Sequence, residues 1–210
     1  MSATRLAVSG IIPRLLFCLP VLLCAAWAWG WYYADFWLPV YERVLGWALP
    51  DFAVLHLGIA LGHEYVFDTQ VITQNALLVQ GQVVQAGLTV DASTPMYAAL
   101  IHPLVLIAAA LVWPLPGWRA RGVRLLLSLP FLLLLEAVDV PLVLASSVTD
   151  LLSHTFNPAA DSASWRVDWT HVMDGGGRFA LSLAVAFAAA HLHQSLDRFA
   201  RARKRAGVKI

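Results

Sequence analysis

The sequence predicts a mainly α-helical, polytopic membrane protein with four transmembrane helices, interfacial helices beside them and a small periplasmic β element. Three observations carry this. Hydrophobic residues make up 60% of the 210 positions and charged residues only 13%, against about 25% charged in a soluble domain. Four apolar segments, roughly 11–33, 97–116, 122–148 and 177–194, approach the ~20 residues a helix needs to cross ~30 Å of hydrocarbon. The basic residues also sort by side. Arg5, Arg14, Arg119, Arg121, Arg124, Arg198, Arg201, Arg203, Lys204, Arg205 and Lys209, 11 of the 14, fall on one face if the chain crosses four times. The positive-inside rule makes that face cytoplasmic. Arg43, Arg166 and Arg178 lie at or beyond the other face, with ten of the 13 acidic residues (all but Glu136, Asp139 and Asp197). The expected location is a bacterial inner membrane with both termini cytoplasmic.

Taken in order, the first segment starts basic, and Ala26-Trp27-Ala28 resembles a signal cleavage site. Hydrophobicity continues through Trp31-Tyr32-Tyr33, so it reads as an uncleaved anchor. Cys18 and Cys24 are six apart, on different helix faces, and read as apolar filler with no zinc pattern. Residues 35–96 form a periplasmic insert. Within it, 36–49 and 51–62 are expected to be two half-helices at the interface, with Pro50 fixing the bend. The stretch 64–92 is rich in Val, Thr, Gln and Ile, punctuated by Gln74-Asn75, Gly81 and Gly87. It reads as two or three short strands that cannot bury a core alone.

The second span follows Pro95 and forms an antiparallel hairpin with the third through LPGWRARGVR. The outer loop 149–176 is polar. Gly175-Gly176-Gly177 reads as a hinge into the fourth span, where Ala180, Ala184 and Ala188 form a small-residue face suited to helix packing. The tail 195–210 is basic, cytoplasmic and helix-compatible. Most of the nine tryptophans sit at segment ends, as interfacial anchors do.

Glu136 and Asp139, three apart in the third span, share one helix face. Ionisable residues at that depth mark a paired charge, a partner contact or a pathway. Arg178, opening the fourth span, is the expected partner of Asp139 or Glu136. The three would lock two spans together, bind a partner's polar group or handle protons. Haem ligation is rejected because His102 lies in the outer half of its span, and His191 and His193 near the inner end of theirs. His56, His63, His154 and His171 share the outer side but lack ligand spacing. No phosphate loop, Gly-x-Ser-x-Gly, His-Glu-x-x-His or cysteine nucleophile motif is present. No catalytic residue, metal or cofactor is assigned, and no nucleic-acid partner is expected.

The order of elements carries one resemblance. An N-terminal span and an interfacial stretch precede a β-like insert. DASTPMYAALIHPLVLIAAAL then opens a span at Asp91, Pro95, Tyr97 and Pro103, and Gly176-Gly177-Arg178 opens the last. This resembles the small membrane proteins associated with bacterial exosortases, of the exosortase H-associated type, over about residues 10–195. The resemblance implies an accessory protein beside a membrane transpeptidase that processes C-terminal sorting tails.

The expected function is therefore a non-enzymatic subunit that binds a membrane partner as well as the bilayer. Its outward docking surface would run over Val66, Val71, Val83, Val90, Trp165 and Trp169. Two alternatives stay open: a proton-handling subunit using Glu136 and Asp139, and a periplasmic metal-handling protein using the four outer histidines.

Overall fold

The computed structural model describes residues 11–79, 81–113, 117–156 and 165–205. The expected turn at 114–116, the centre of the 149–176 loop and both chain ends fall outside them.

Helix α1 runs unbroken from Ile11 to Ala48, 38 residues, or about 57 Å at ~1.5 Å per residue. Its two halves have different surroundings. Before Gly30 no residue is fully buried; beyond it Ala34, Trp37, Tyr41 and Leu45 form a buried stripe, while Asp35, Glu42 and Arg43 lie exposed. That three-to-four spacing is the apolar face of an amphipathic helix. The expected half-helix at 36–49 is therefore the second half of α1.

The second expected half-helix, 51–62, is a strand. β1 spans Phe52–Leu61 and pairs antiparallel with β2, Tyr65–Thr73. A short apolar run fits a strand or a buried helix equally well by periodicity. Here the neighbouring strand decides, reached through a turn at Gly62, His63 and Glu64. β2 is central: β5, Thr89–Pro95, pairs along its other edge, with Val71 opposite Val90. Between them β3, Leu77–Val79, and β4, Gln82–Val84, form a separate two-stranded ribbon. Phe67, Thr69, Val71 and Thr73 are the buried residues of β2, alternating with less buried neighbours, as a one-sided sheet requires.

Helix α2, Tyr97–Val112, is apolar but short. Helix α3, Trp118–Phe156, is 39 residues long and continues well past the expected end of its span at 148. Along this polar stretch the hydroxyls are satisfied within the helix by bonding back one turn. Ser147, Thr149, Ser153 and Thr155 donate to the carbonyls of Val143, Ala145, Thr149 and Leu151 at 2.7–3.0 Å. Helix α4, Trp165–Val172, bends through a kink at Met173–Gly177 (the π turn), where Gly176 leaves helical geometry, into α5, Arg178–Arg205. Gly176 has φ +107°, and a Cβ on Gly177 would lie 2.5 Å from the Val172 carbonyl oxygen. Both positions need glycine. The inward face of α5 carries Arg178, Ser182, Ala189 and His193. Ala180, Ala184 and Ala188 are exposed, so the expected small-residue face packs against nothing among the described residues.

The sheet lies across the second half of α1 and the later part of α3. Tyr41, Leu45, Phe67, Val71, Val90, Ala92, Leu144 and Val148 form its core with their neighbours. Tyr41 meets Phe67 edge-on at 5.3 Å and stacks on Trp37 at 5.9 Å, geometries that add to area burial. Arg166 ties α4 to this end by donating from Nη2 to the carbonyl of Ala48 at 2.9 Å, one of the open carbonyls at the end of α1. Among the described residues, three helices are long and apolar enough to cross a membrane: α1, α3, and the α4–α5 run to Leu196.

Candidate functional site

Beneath the sheet core, polar side chains from α1, α2, α3, α4 and α5 converge around one turn of α3. Glu136 and Asp139 supply its two carboxylates, both fully or almost fully buried. Tyr41, on the inward stripe of α1, donates its hydroxyl to Glu136 Oε2 at 3.1 Å. Arg178, the first residue of α5, donates from Nε to Asp139 Oδ2 at 2.6 Å and from Nη1 to Asp174 Oδ1 at 2.6 Å. Trp169 of α4 donates from Nε1 to Asp139 Oδ1 at 3.3 Å. The glycine-bearing π turn makes this possible, because it lets residues on both sides of the α4–α5 bend face α3.

His102 closes the cluster from α2. Its Nδ1 lies 2.8 Å from Ser182 Oγ, and its Nε2 lies 3.4 Å from Asp139 Oδ2. Ser182 Oγ also sits 2.7 Å from the carbonyl of Arg178. A hydroxyl has one hydrogen. When Ser182 donates to the Arg178 carbonyl, His102 donates to Ser182 from Nδ1; when Ser182 donates to His102, Nδ1 carries no hydrogen and accepts. His102 Nε2 faces Asp139 but is buried without a hydrogen-bond partner among the described residues.

Serine, histidine and aspartate in contact are the residue types of an acyl-transfer relay. Here Ser182 and His102 have no exposed surface, and neither they nor Asp139 line either of the two cavities described below. Asp139 is occupied by Arg178. The arrangement fastens α2, α3 and α5 together around a buried ion pair. It also leaves Tyr33 Oη, Trp37 Nε1, Glu136 Oε1 and Arg178 Nη2 buried without a hydrogen-bond partner among the described residues.

Sequence reasoning named Glu136, Asp139 and Arg178, and the structure brings them into one cluster with Tyr41, His102, Trp169, Asp174 and Ser182. The expected docking residues are dispersed. Val71 and Val90 are in the core, Val66 is half-buried, Val83 and Trp165 are exposed, and Trp169 belongs to the cluster. The four outer histidines are not brought together: among the described residues, no three His, Cys, Asp or Glu side chains could hold one metal ion. His154 instead pairs with Asp150 one turn away, at 3.5 Å.

Two cavities lie nearer the other end of the bundle. The larger, about 1090 Å³, is an apolar groove between the first half of α1 and α2, reaching Phe179 and Leu183 on α5. Leu19, Leu23, Trp27, Leu104 and Val105 line it, and Glu64 with Tyr65 stands at its sheet-side mouth. The smaller lies between α2, α3 and α5 beside Arg124. Comparison with known proteins adds no relative: no family model matches the chain, nor does any curated protein or solved structure.

Proposed function

We propose that this chain is a non-catalytic subunit of a bacterial inner-membrane assembly, and that it seats a transmembrane helix of a partner protein in the groove between α1 and α2. The groove is the observation that carries the reading. At ~10 Å helix diameter and 5.4 Å per turn, about 1090 Å³ corresponds to roughly two and a half turns of helix. The first half of α1 is bare on its outer sides too, with Leu16, Phe17 and Trp29 at 71, 75 and 66% exposure. In a bilayer such surfaces meet acyl chains or another helix. The polar cluster is closed and internal, which suits a scaffold better than a reaction centre.

Four crossings, with the sheet in the periplasm and both termini in the cytoplasm, fit the alternation of α1, α2, α3 and α5 and the sorting of basic residues. The resemblance to exosortase-associated proteins makes a membrane transpeptidase the first partner to test. A photo-crosslinking residue at Leu19 or Leu104, with Leu134 on the exposed side of α3 as control, tests the seat in native membranes. The expected result is one stoichiometric product, containing a transmembrane peptide of one membrane protein, at the groove positions only. Crosslinks to lipid alone, or equal products at Leu134, would sink the proposal.

A second reading has one observation behind it: Glu136 Oε1 is buried without a partner and could take up a proton. It requires activity lost in Glu136→Gln or Asp139→Asn while assembly with the partner is kept. The subunit reading requires assembly to fall.

A further inference from the structure

We infer that the basic end of the bundle holds a site for the phosphate of an anionic lipid headgroup, built around Arg124. This inference does not depend on the partner reading. A basic side chain near a helix end ordinarily extends its charged head into water. Arg124 does not. It lies on the second turn of α3 with 4% of its surface exposed. Its guanidinium carbon sits 5.3 Å from the centre of the Trp113 ring, and that ring meets Phe187 of α5 edge-on at 5.7 Å.

Among the described residues, Arg124 has no carboxylate within ion-pair distance, and its Nε is buried without a hydrogen-bond partner. A buried guanidinium without a counter-charge is strongly unfavourable. An anion resolves this, and a planar guanidinium suits a phosphate's paired oxygens.

The space for one is present. A partly enclosed cavity of about 40 Å³ lies beside Arg124, between α2, α3 and α5. At ~10–15 Å³ per enclosed water, it has room for roughly three waters or one phosphate group. Ser128 lines it too, but its hydroxyl donates to the Leu125 carbonyl at 2.7 Å, so the positive charge comes from arginine. Arg121, three residues earlier, does not line the cavity; its guanidinium lies over Trp118 at 4.9 Å. The remaining walls, including Leu106, Leu183 and Phe187, are apolar. They suit a phosphate attached to acyl chains better than a free ion, and basic pockets between membrane helices are a recurrent headgroup site.

The test uses the full chain in mild detergent with added phosphatidylglycerol, phosphatidylcholine or inorganic phosphate, read by thermal unfolding and native mass spectrometry. Phosphatidylglycerol is expected to raise the melting temperature and persist as a one-to-one adduct, with phosphatidylcholine and inorganic phosphate doing neither. Arg124→Gln should lower the adduct fraction about tenfold or more, as the loss of a charge-assisted bond implies. Arg124→Lys should retain part of it, and Arg119→Gln, at an exposed position, all of it. Equal effects of the two lipids, an equal effect of inorganic phosphate, or an adduct that survives Arg124→Gln would each overturn the lipid site. If Arg124→Gln does not fold, the three ligands on the unaltered chain still decide.

Discussion

Asp139 and Arg178 lie 39 residues apart in the chain and 2.6 Å apart in space. Their contact joins the middle of α3 to the first residue of α5, with 2% and 4% of the side chains exposed. Two charges withdrawn this far from solvent hold together only if each stays paired. Trp169 bonds the other carboxylate oxygen and Asp174 bonds Arg178 Nη1 from the α4 side of the bend, while Arg178 Nη2 has no partner among the described residues. The pair therefore sets the angle between α4 and α5 as well as the approach of α5 to α3.

Asp139→Asn should leave Arg178 with only the exposed Asp174 as a counter-charge and turn an amide hydrogen towards one of two donors. Breaking one partner of a buried pair costs about 3–5 kcal/mol. Replacing both, as Asp139→Leu with Arg178→Leu, should cost distinctly less than Asp139→Asn alone. Unfolding of the purified protein in mixed detergent measures both. A loss under ~0.5 kcal/mol for Asp139→Asn would show that the pair is solvated and the cluster open.

Tyr41→Phe tests the other carboxylate. It removes the 3.1 Å donor to Glu136 Oε2 and leaves the ring on Phe67. Glu136 Oε1 already lacks a partner in good geometry, so the carboxylate would keep only the neighbouring Tyr33 hydroxyl. A buried group left so costs about 1–3 kcal/mol. Tyr41→Phe combined with Glu136→Leu should recover much of that. Additive losses in the two-site variant would mean that the hydroxyl and the carboxylate do not interact.

How much of this was legible follows from the kind of signal each residue gives. Glu136, Asp139 and Arg178 stand out because an ionisable residue in an apolar run has few physical explanations. His102 gives the same signal at a matching depth, since both it and Asp139 read as lying in the outer half of the membrane. Weighing it only against other histidines as a haem ligand missed the carboxylate across the bundle. Tyr41 was hidden by reading α1 as two pieces, although its spacing from Trp37 and Leu45 already gives an inward stripe. Trp169 reads as an interfacial anchor because nothing local says that α4 turns it towards α3. β1 was not legible: FAVLHLGIAL suits either element, and only its pairing with β2, a tertiary fact, makes it a strand. In the long polar continuation of α3 the hydroxyls bond back to their own helix, which composition alone does not reveal.

The π turn should be the most sequence-intolerant connection among the described residues. At Gly177 an added Cβ would lie 2.5 Å from a backbone oxygen that cannot turn aside, whereas at Gly175 it would meet nothing within 4 Å. Gly177→Ala should open the turn and draw Arg178 off Asp139, and Gly175→Ala should change stability by less than about 1 kcal/mol. Because Gly177→Ala and Asp139→Asn damage the same contact, together they should cost less than the sum of their separate effects. Simple additivity would mean that the turn and the ion pair are independent.

Gly30 links the fold to the proposed seat. A Cβ there would lie 2.8 Å from Leu100 Cδ1, and Leu100 also lines the groove, so α1 and α2 are in close contact at its wall. Leu100 is a flexible neighbour, and Gly30→Ala should be absorbed by its rotation at a cost of about 1 kcal/mol or less. Gly30→Phe cannot be absorbed that way and must part the two helices, widening the groove. The sheet core and the Asp139–Arg178 pair involve other surfaces and should survive, so unfolding should stay cooperative. Crosslinking from Leu104 to a seated helix should then fall several-fold while expression and insertion are unchanged. A Gly30→Phe protein that crosslinks as well as the unaltered chain would show that the partner does not depend on this groove.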